Sequence, residues 1–295
     1  MSDHNVFAGA FVDRSGHRRK DPRWLEKALK SPESRFVPVW GDKCLARGEP
    51  LRAVLLERAD VAGYLESREP IFLGLWRGQP TFALRIDDSP DAPFTGMGEF
   101  CDLRYLGSAL PVDEANLVAH ARALVLWHGL QKHCGVCGAL SRVESGGNTR
   151  VCSNEACRVQ IFPRVDPAII VLVSHGDHCL LGRQASWPED RYSTIAGFVE
   201  PGESLEDAVR REVAEETNIG IGAVSYHSSQ PWPFPSSLML GFTAQAVSRE
   251  IQLNDGELED AQWFSREDLR SGFPKLPYRL SIARRLIENW LEYLT

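Results

Sequence analysis

The chain has no apolar run approaching the roughly 20 residues of a membrane-crossing helix. It also has no internal repeat and no low-complexity tract, so neither a helical membrane span nor a solenoid is expected. Positive charge is not in excess: 33 Lys and Arg face 40 Asp and Glu, for a formal net charge of −7. That balance argues against a general nucleic-acid binder while leaving room for a local basic patch. A secretory leader is not expected, because no basic region precedes an apolar core. VFAGAFV at 6–12 is short and comes before the basic stretch from Arg14 to Lys20, not after it. Asp3 and Asp13 fit a transit peptide poorly, so a cytoplasmic location is the expectation. The eight histidines show no spacing with cysteines or acids that suggests a metal site of their own. Seven cysteines is an odd number, and four of them cluster. This usage suits metal binding in a reducing compartment better than a disulfide framework.

What is present falls into three parts. Residues 1–30 are polar and basic and are read as partly loose. Between about 35 and 110, the runs RFVPVW, LRAVLL, IFLGLW and TFALRI alternate with turn-rich pieces, and PIFLGLWRGQPTFALRID predicts a hairpin turning at RGQP. Asp113 to Leu130 is predicted helical, with Leu117, Val118, Ala121, Leu124, Val125 and Trp127 as its apolar stripe and Asp113 as its cap. The first 130 residues thus form a small α/β unit without a chemical motif of its own.

Cys134-Gly-Val-Cys137 and Cys152-x4-Cys157 then bracket a fourteen-residue insert containing Gly146-Gly147. Two close thiol pairs around a hairpin are how a ribbon gathers four sulfurs about Zn²⁺, in a closed and therefore structural site. The insert carries only Arg142 and Arg150 as cations, besides Glu144, a poor footprint for nucleic acid. From 163 to 295, DPAIIVLVSHGDHCLLGRQ reads as two strands, and RYSTIAGFVE, LMLGFTAQAVS and AQWFS as further strands. Ser281 to Leu294 read as a closing amphipathic helix with Ile282, Leu286, Ile287, Trp290 and Leu294 inward. The mixture predicts an α/β/α sandwich.

The densest chemistry lies in GFVEPGESLEDAVRREVAEETNI, residues 197–219. Ser204, followed three positions later by Asp207, marks a helix start. Glu212, Glu215 and Glu216 stand at i, i+3 and i+4 and share one helical face. Like charges so placed repel, and a cation preferring oxygen ligands, Mg²⁺ or Mn²⁺, relieves the repulsion. Leu205, Ala208, Val209 and Val213 supply the opposite, buried stripe. Arg211 offers a bidentate fork that orients the carboxylates. Ten residues on, SQPWPFPSS at 229–237 sets three prolines within five residues, holding an extended backbone with Trp232 and Phe234 interleaved. An aromatic wall for a flat ring, near the acidic helix, is the economical reading of such a segment.

The acidic stretch resembles the Nudix box, G-x5-E-x7-R-E-U-x-E-E-x-G-U. Gly197, Glu203, Arg211, Glu212, Val213, Glu215, Glu216 and Ile219 fall in place, while Asn218 replaces the last glycine. Asn tolerates the left-handed conformation that ends a helix there. Residues 229–237 resemble the SQPWPFPxS array of NADH pyrophosphatases within that superfamily. The four-cysteine ribbon and FPRVDPAII at 162–170 are similar to the same branch. The resemblance implies a Nudix α/β/α sandwich at 163–295, a zinc ribbon at 131–162 and a Nudix-like N-terminal α/β domain at 1–130.

It further implies an NAD⁺/NADH diphosphatase that splits NADH, and less efficiently NAD⁺, into a nicotinamide mononucleotide and AMP, removes NAD caps from RNA, and works as a homodimer. The catalytic metal ligands it implies are Glu212, Glu215, Glu216 and the backbone carbonyl of Ala196. Glu215 and Glu216 compete for the general base. Asp260, in GELEDAQWF, matches the acid before Ala in E-x-x-E-A-x-W-F, with Glu257 or Glu259 as substitutes. For the dinucleotide it implies Gln230, Pro231, Trp232, Pro233, Phe234, Pro235, Ser236 and Ser237, together with Phe162 stacking on a base and Ala283 touching substrate. Read from the residues alone, Phe162 is equally a core side chain. Two other functions compete: an ADP-ribose or dinucleoside polyphosphate pyrophosphatase, and a catalytically silent zinc-ribbon scaffold or nucleic-acid binder. The intact set of acids argues against silence.

Overall fold

The computed structural model describes residues 4–86, 91–254 and 256–292; Asp3 and Leu294, invoked above, lie outside them. The chain divides into two compact units. One comprises Phe7–Arg164 together with Pro233–Ser236, and the other comprises the residues up to Val6, Val165–Trp232 and those from Ser237 onward.

In the first unit, β1 (Val12–Asp13), β2 (Arg35–Trp40), β3 (Lys43–Arg47), β4 (Arg52–Ala53), β5 (Ile71–Trp76), β6 (Gln79–Ile86) and β7 (Glu99–Cys101) form a seven-stranded sheet. Its order is β1-β5-β6-β2-β3-β4, with β7 on β3, and only β2 and β6 run parallel. The expected hairpin is β5–β6, turning at Arg77 and Gly78, both at positive φ. Its core gathers Phe36, Leu45, Leu56, Phe72, Phe82 and Leu84.

The segment expected to be loose contains α1 (Pro22–Lys30). Asp21 caps it, accepting from the Arg23 and Trp24 amides at 3.0 and 3.1 Å. Trp24, Leu25, Ala28 and Leu29 then reach the core, a helical spacing visible in the sequence but masked by its many cations. After the short α2 (Ala62–Leu65) and α3 (Leu103–Ala109), α4 (Val112–Leu130) packs across β2, β3, β4, β5 and β6. Pro111, not Asp113, holds its N-cap position, without a side-chain cap. Asp113 falls inside the first turn, where it suits the helix dipole and pairs with Arg77 at 2.7 Å.

The ribbon belongs to this unit as well: β8 (Ser141–Glu144), β9 (Thr149–Cys152) and β10 (Gln160–Ile161) form its three-stranded sheet.

In the second unit, the strands are β11 (Asp166–His175), β12 (His178–Arg183), β13 (Ile195–Phe198), β14 (Ile221–Trp232), β15 (Ser237–Ala246) and β16 (Asp260–Ser265). They order as β14-β15-β11-β12-β16, with β13 also on β11 and β11 parallel to β15. The two-residue period of β11 divides two cores. Ile169, Val171 and Val173 pack with Ala208, Val209 and Val213 of α5 (Leu205–Thr217). Ile170 and Leu172 pack with Leu269 of α6 (Arg266–Ser271) and with Ile282, Leu286 and Ile287 of α7 (Ile282–Glu292). Helices cover both faces, which is the expected α/β/α sandwich. Each buried valine of α5 contributes about 1.5–3 kcal/mol to holding that helix on the sheet. Cys179 lies fully buried on β12, as the apolar run HCLLG implies.

Candidate active site

Chain chemistry puts α5 in place at both ends. Ser204 accepts from the Asp207 amide at 3.2 Å and donates to its carboxylate at 2.6 Å. Asn218 closes the helix at φ +60°, its amide bonded to Ala214 O at 2.8 Å. Between β13 and α5, the Glu200 amide donates to Glu203 Oε2 at 2.9 Å, so the entry turn is tied to its own acid.

Arg211 is the hub of the site. Its Nε and Nη2 grip both oxygens of Glu203 at 2.6 and 2.9 Å, a bidentate pair. Nη1 donates to Glu212 at 2.8 Å and Glu215 at 3.0 Å, and Nη2 also reaches Phe198 O at 2.9 Å. The bond from Arg211, aided by the Glu200 amide, holds the Glu203 carboxyl down at about 2, and the carboxylates in turn keep Arg211 firmly charged. Glu212 behaves in the opposite way. Burial lifts its carboxyl above the ordinary range, Arg211 opposes the lift, and the charges of Glu215 and Glu257 add to it.

The three acids expected to share one helical face are unequal in exposure. Glu212 is 9% exposed and Glu216 is buried, whereas the Glu215 side chain is 54% exposed. Gly197 explains how Glu212 lies so low: its carboxylate occupies the space where a Cβ at 197 would stand. Ala196, whose carbonyl the resemblance assigns to a metal, directly precedes Gly197 on β13 and pairs with Ile170. All these donors are hard oxygens, the kind a divalent cation takes, although among the described residues the carboxylates are not gathered into one metal-sized cluster as the four cysteines are.

Three acids follow at the start of β16, and the structure separates them. Asp260 Oδ2 accepts from the Tyr192 hydroxyl and from Gln262 Nε2 at 2.6 Å. Burial, followed by this carboxylate, pushes Tyr192 up to about 12, so the phenol stays a donor. Glu259 pairs with Arg183. Glu257 is the one that lines a recess with Ala214, Glu215 and Asn254, and its charge bears on Glu212. The family resemblance singled out Asp260; geometry brings Glu257 to the acidic helix. Asp255, from the same acidic run, lies outside the described residues.

In the ribbon, Cys134 Sγ lies 3.8 Å from Cys157 Sγ, and Cys137 Sγ lies 3.4 Å from Cys152 Sγ. All four sulfurs fall within 4.8 Å of one another. A tetrahedral Zn²⁺ with bonds of about 2.3 Å would separate its sulfurs by about 3.8 Å, so the set fits that ion. Backbone amides of Cys137 and Val136 bring the Cys134 thiol down to about 7, toward the thiolate a metal needs. His133 bridges to Leu140 through its backbone and is not part of the cluster.

The Pro/aromatic segment departs most from expectation. It forms the end of the β14–β15 hairpin: the backbone is extended as expected up to Trp232, which lies opposite Ser237, while Pro233–Ser236 form the apex. Gln230 is fully buried, and its amide is used within the fold. It donates to Leu280 O at 2.7 Å and Val6 O at 3.2 Å, and accepts from the Ile282 amide at 2.8 Å. Its place is to start α7, not to face a ligand. Ala283 is likewise a core residue, packed with Ile170, Leu286 and Ile287. Pro231, Trp232, Phe234, Ser236 and Ser237 are half-buried, Pro235 is exposed and Pro233 is buried. Phe162 is 62% exposed, so it is no core side chain and its ring is open to a partner. Sequence reasoning passed over Phe198, 60% exposed beside the Arg211 hub. An aromatic directly after the box glycine at a strand end was the signal.

Comparison with known proteins agrees with this architecture. Residues 163–289 match the NUDIX domain family, and residues 33–127 match the NADH pyrophosphatase-like rudimentary NUDIX domain. The NAD-capped RNA hydrolase NUDT12 of Homo sapiens is 35% identical, over 98% of this chain and 73% of its own length. The NAD-capped RNA hydrolase NudC of Mycobacterium bovis is 38% identical over 95% of this chain and 92% of its own. That of Pseudomonas aeruginosa is 41% identical over 74% and 76%. Two Nudix-related units, the ribbon between their matched regions and relatives that align along almost all of it place the chain in one family. It belongs to the NADH pyrophosphatase branch of the Nudix hydrolases, enzymes that hydrolyse pyrophosphate bonds with divalent cations.

Proposed function

We propose that this enzyme cleaves the pyrophosphate of NADH, and of NAD⁺, to NMNH or NMN and AMP, and removes the NAD cap from RNA. The observation that carries the substrate class is the near-complete alignment with relatives named NAD-capped RNA hydrolases, the rudimentary N-terminal domain included. The Arg211 hub supports the chemistry. Glu212, Glu215, Glu216, the Ala196 carbonyl and Glu257 would hold Mg²⁺ or Mn²⁺, while Asp260, the acid the resemblance implies, is hydrogen-bonded to Tyr192 and Gln262. The cation supplies charge neutralisation at the pyrophosphate. Arg211 keeps Glu212 and Glu215 aligned, and Glu215 or Glu216 takes the proton from the attacking water. Phe198 and Trp232 are rings of the second unit available to a flat base, and the resemblance assigns a stacking role to Phe162. Zn²⁺ in the ribbon is structural, since four thiolates leave no open position. We also take the protein to be a cytoplasmic homodimer: the resemblance implies the dimer, and the clustering of four cysteines suits metal binding in a reducing compartment.

Incubation with NADH, NAD⁺, ADP-ribose and an NAD-capped oligonucleotide in Mg²⁺ or Mn²⁺, with product identification, tests the substrate. NMNH and AMP from NADH are expected. A clear preference for ADP-ribose would overturn the assignment.

A further inference from the structure

The apex of the Pro/aromatic hairpin has an unusual hydrogen-bonding problem. Residues 231, 233 and 235 are prolines and donate no amide hydrogen, so the hairpin is short of donors for its own carbonyls. A side chain of the compact unit to which the apex itself belongs meets part of that need. Arg122, buried on α4, donates through Nη1 to the Pro233 carbonyl. Its remaining edge is anchored on the loop after β2: Nε donates to Asp42 O at 2.7 Å and Nη2 pairs with Asp42 Oδ2 at 3.3 Å. The same guanidinium lies 5.3 Å from the centroid of Phe234, while Arg104 of α3 lies 4.1 Å from it. Phe7 approaches the ring at 6.1 Å.

The helix does not need an arginine there for its own stability. Its neighbours Leu117, Val118, Ala121, Leu124 and Val125 are buried apolar residues, and a buried cation costs more than an apolar side chain unless its partners compensate. The partners it has are an anchoring loop and the apex.

We propose that Arg122 is a positioning residue that preorganises the Pro233–Ser236 apex for dinucleotide binding, with Arg104 as its assistant on the Phe234 ring. This assigns the N-terminal unit a task in substrate affinity, through residues that carry no metal and touch no reacting atom. The inference rests on the reading that the apex segment contacts the dinucleotide. An apex ordered in advance does not have to be ordered by the substrate, so the effect belongs in KM more than in kcat.

The test is steady-state kinetics on NADH with the full-length enzyme, alongside melting temperature. Arg122→Met should raise KM about tenfold or more, with kcat changed less than about threefold. Arg122→Lys keeps the charge but loses the fork, and should recover part of the loss. Arg104→Ala alters an exposed side chain and leaves folding intact; a KM rise of about threefold is expected, so the idea stays testable if Arg122→Met folds poorly. Trp232→Ala examines the underlying reading separately. If Trp232→Ala raises KM while the arginine variants lower only the melting temperature, Arg122 is merely structural and the proposal fails. If Trp232→Ala leaves KM unchanged, the segment does not bind the dinucleotide and both ideas fall.

Discussion

Replacing Gly197 by Ala adds a single methyl group at the most crowded point of the site. The backbone allows it, since Gly197 is not among the glycines at positive φ. The whole cost therefore falls on Glu212, whose carboxylate carbon and both oxygens stand where the methyl would go. Glu212 has little room to retreat: α5 fixes its backbone, its surroundings are buried and Arg211 holds one oxygen at 2.8 Å. If it stays, overpacking costs about 1–3 kcal/mol of stability. If it swings away, a catalytic group is displaced by an ångström or more, which costs about 10²-fold in rate. That loss is about 2.7 kcal/mol of transition-state stabilisation. The assay is kcat/KM for NADH across a Mg²⁺ series, with thermal unfolding in parallel. We expect either about a hundredfold loss with a higher Mg²⁺ requirement, or a fall of a few degrees in Tm. Glu212→Asp, one methylene shorter, should soften the effect, so the two changes together should cost less than their sum. A Gly197→Ala enzyme with wild-type rate, metal requirement and Tm would refute this account of Glu212.

Three further outcomes follow from the same geometry. Cys134→Ser should lower bound zinc and Tm before it changes kcat per folded molecule; loss of rate with zinc and fold intact would contradict a structural ribbon. Glu257→Gln should raise the Mg²⁺ concentration for half-maximal rate more than Asp260→Asn does, and the reverse order would restore Asp260 as the ligand. The Glu203 carboxyl is held at about 2 against an ordinary 4.5, so its contribution to stability is present above pH 4.5 and lost as pH falls toward 2. Glu203→Gln should flatten that part of the Tm–pH curve, and an unchanged curve would show that the Arg211 grip is not stabilising.

Legibility from sequence follows the range of the interaction. Ser204, Asp207 and Asn218 act within a turn of their own backbone, and the bounds of α5 could be read from them. The alternation along β11 is equally local and separates the two cores of the sandwich. Exposure was not legible for Glu212 and Glu216, because helical spacing gives a shared face but not what covers it. Nor was the role of Gln230, whose partners lie 50 and 52 residues away at the start of α7. The choice between Asp260 and Glu257 depends on strand register: Asp260 sits opposite Arg183 on β12, beside Tyr192, and Glu257 precedes the strand. Motif spacing alone does not distinguish those positions.

The central claim is that the carboxylates of α5 break the pyrophosphate bond of a nicotinamide dinucleotide. Product analysis of NADH hydrolysis by the native enzyme and by Glu216→Gln, under saturating Mg²⁺ and at matched thermal stability, tests it most directly. The account predicts NMNH and AMP from the native enzyme and a loss of several orders of magnitude in the variant. An undiminished yield from the variant would place the chemistry elsewhere.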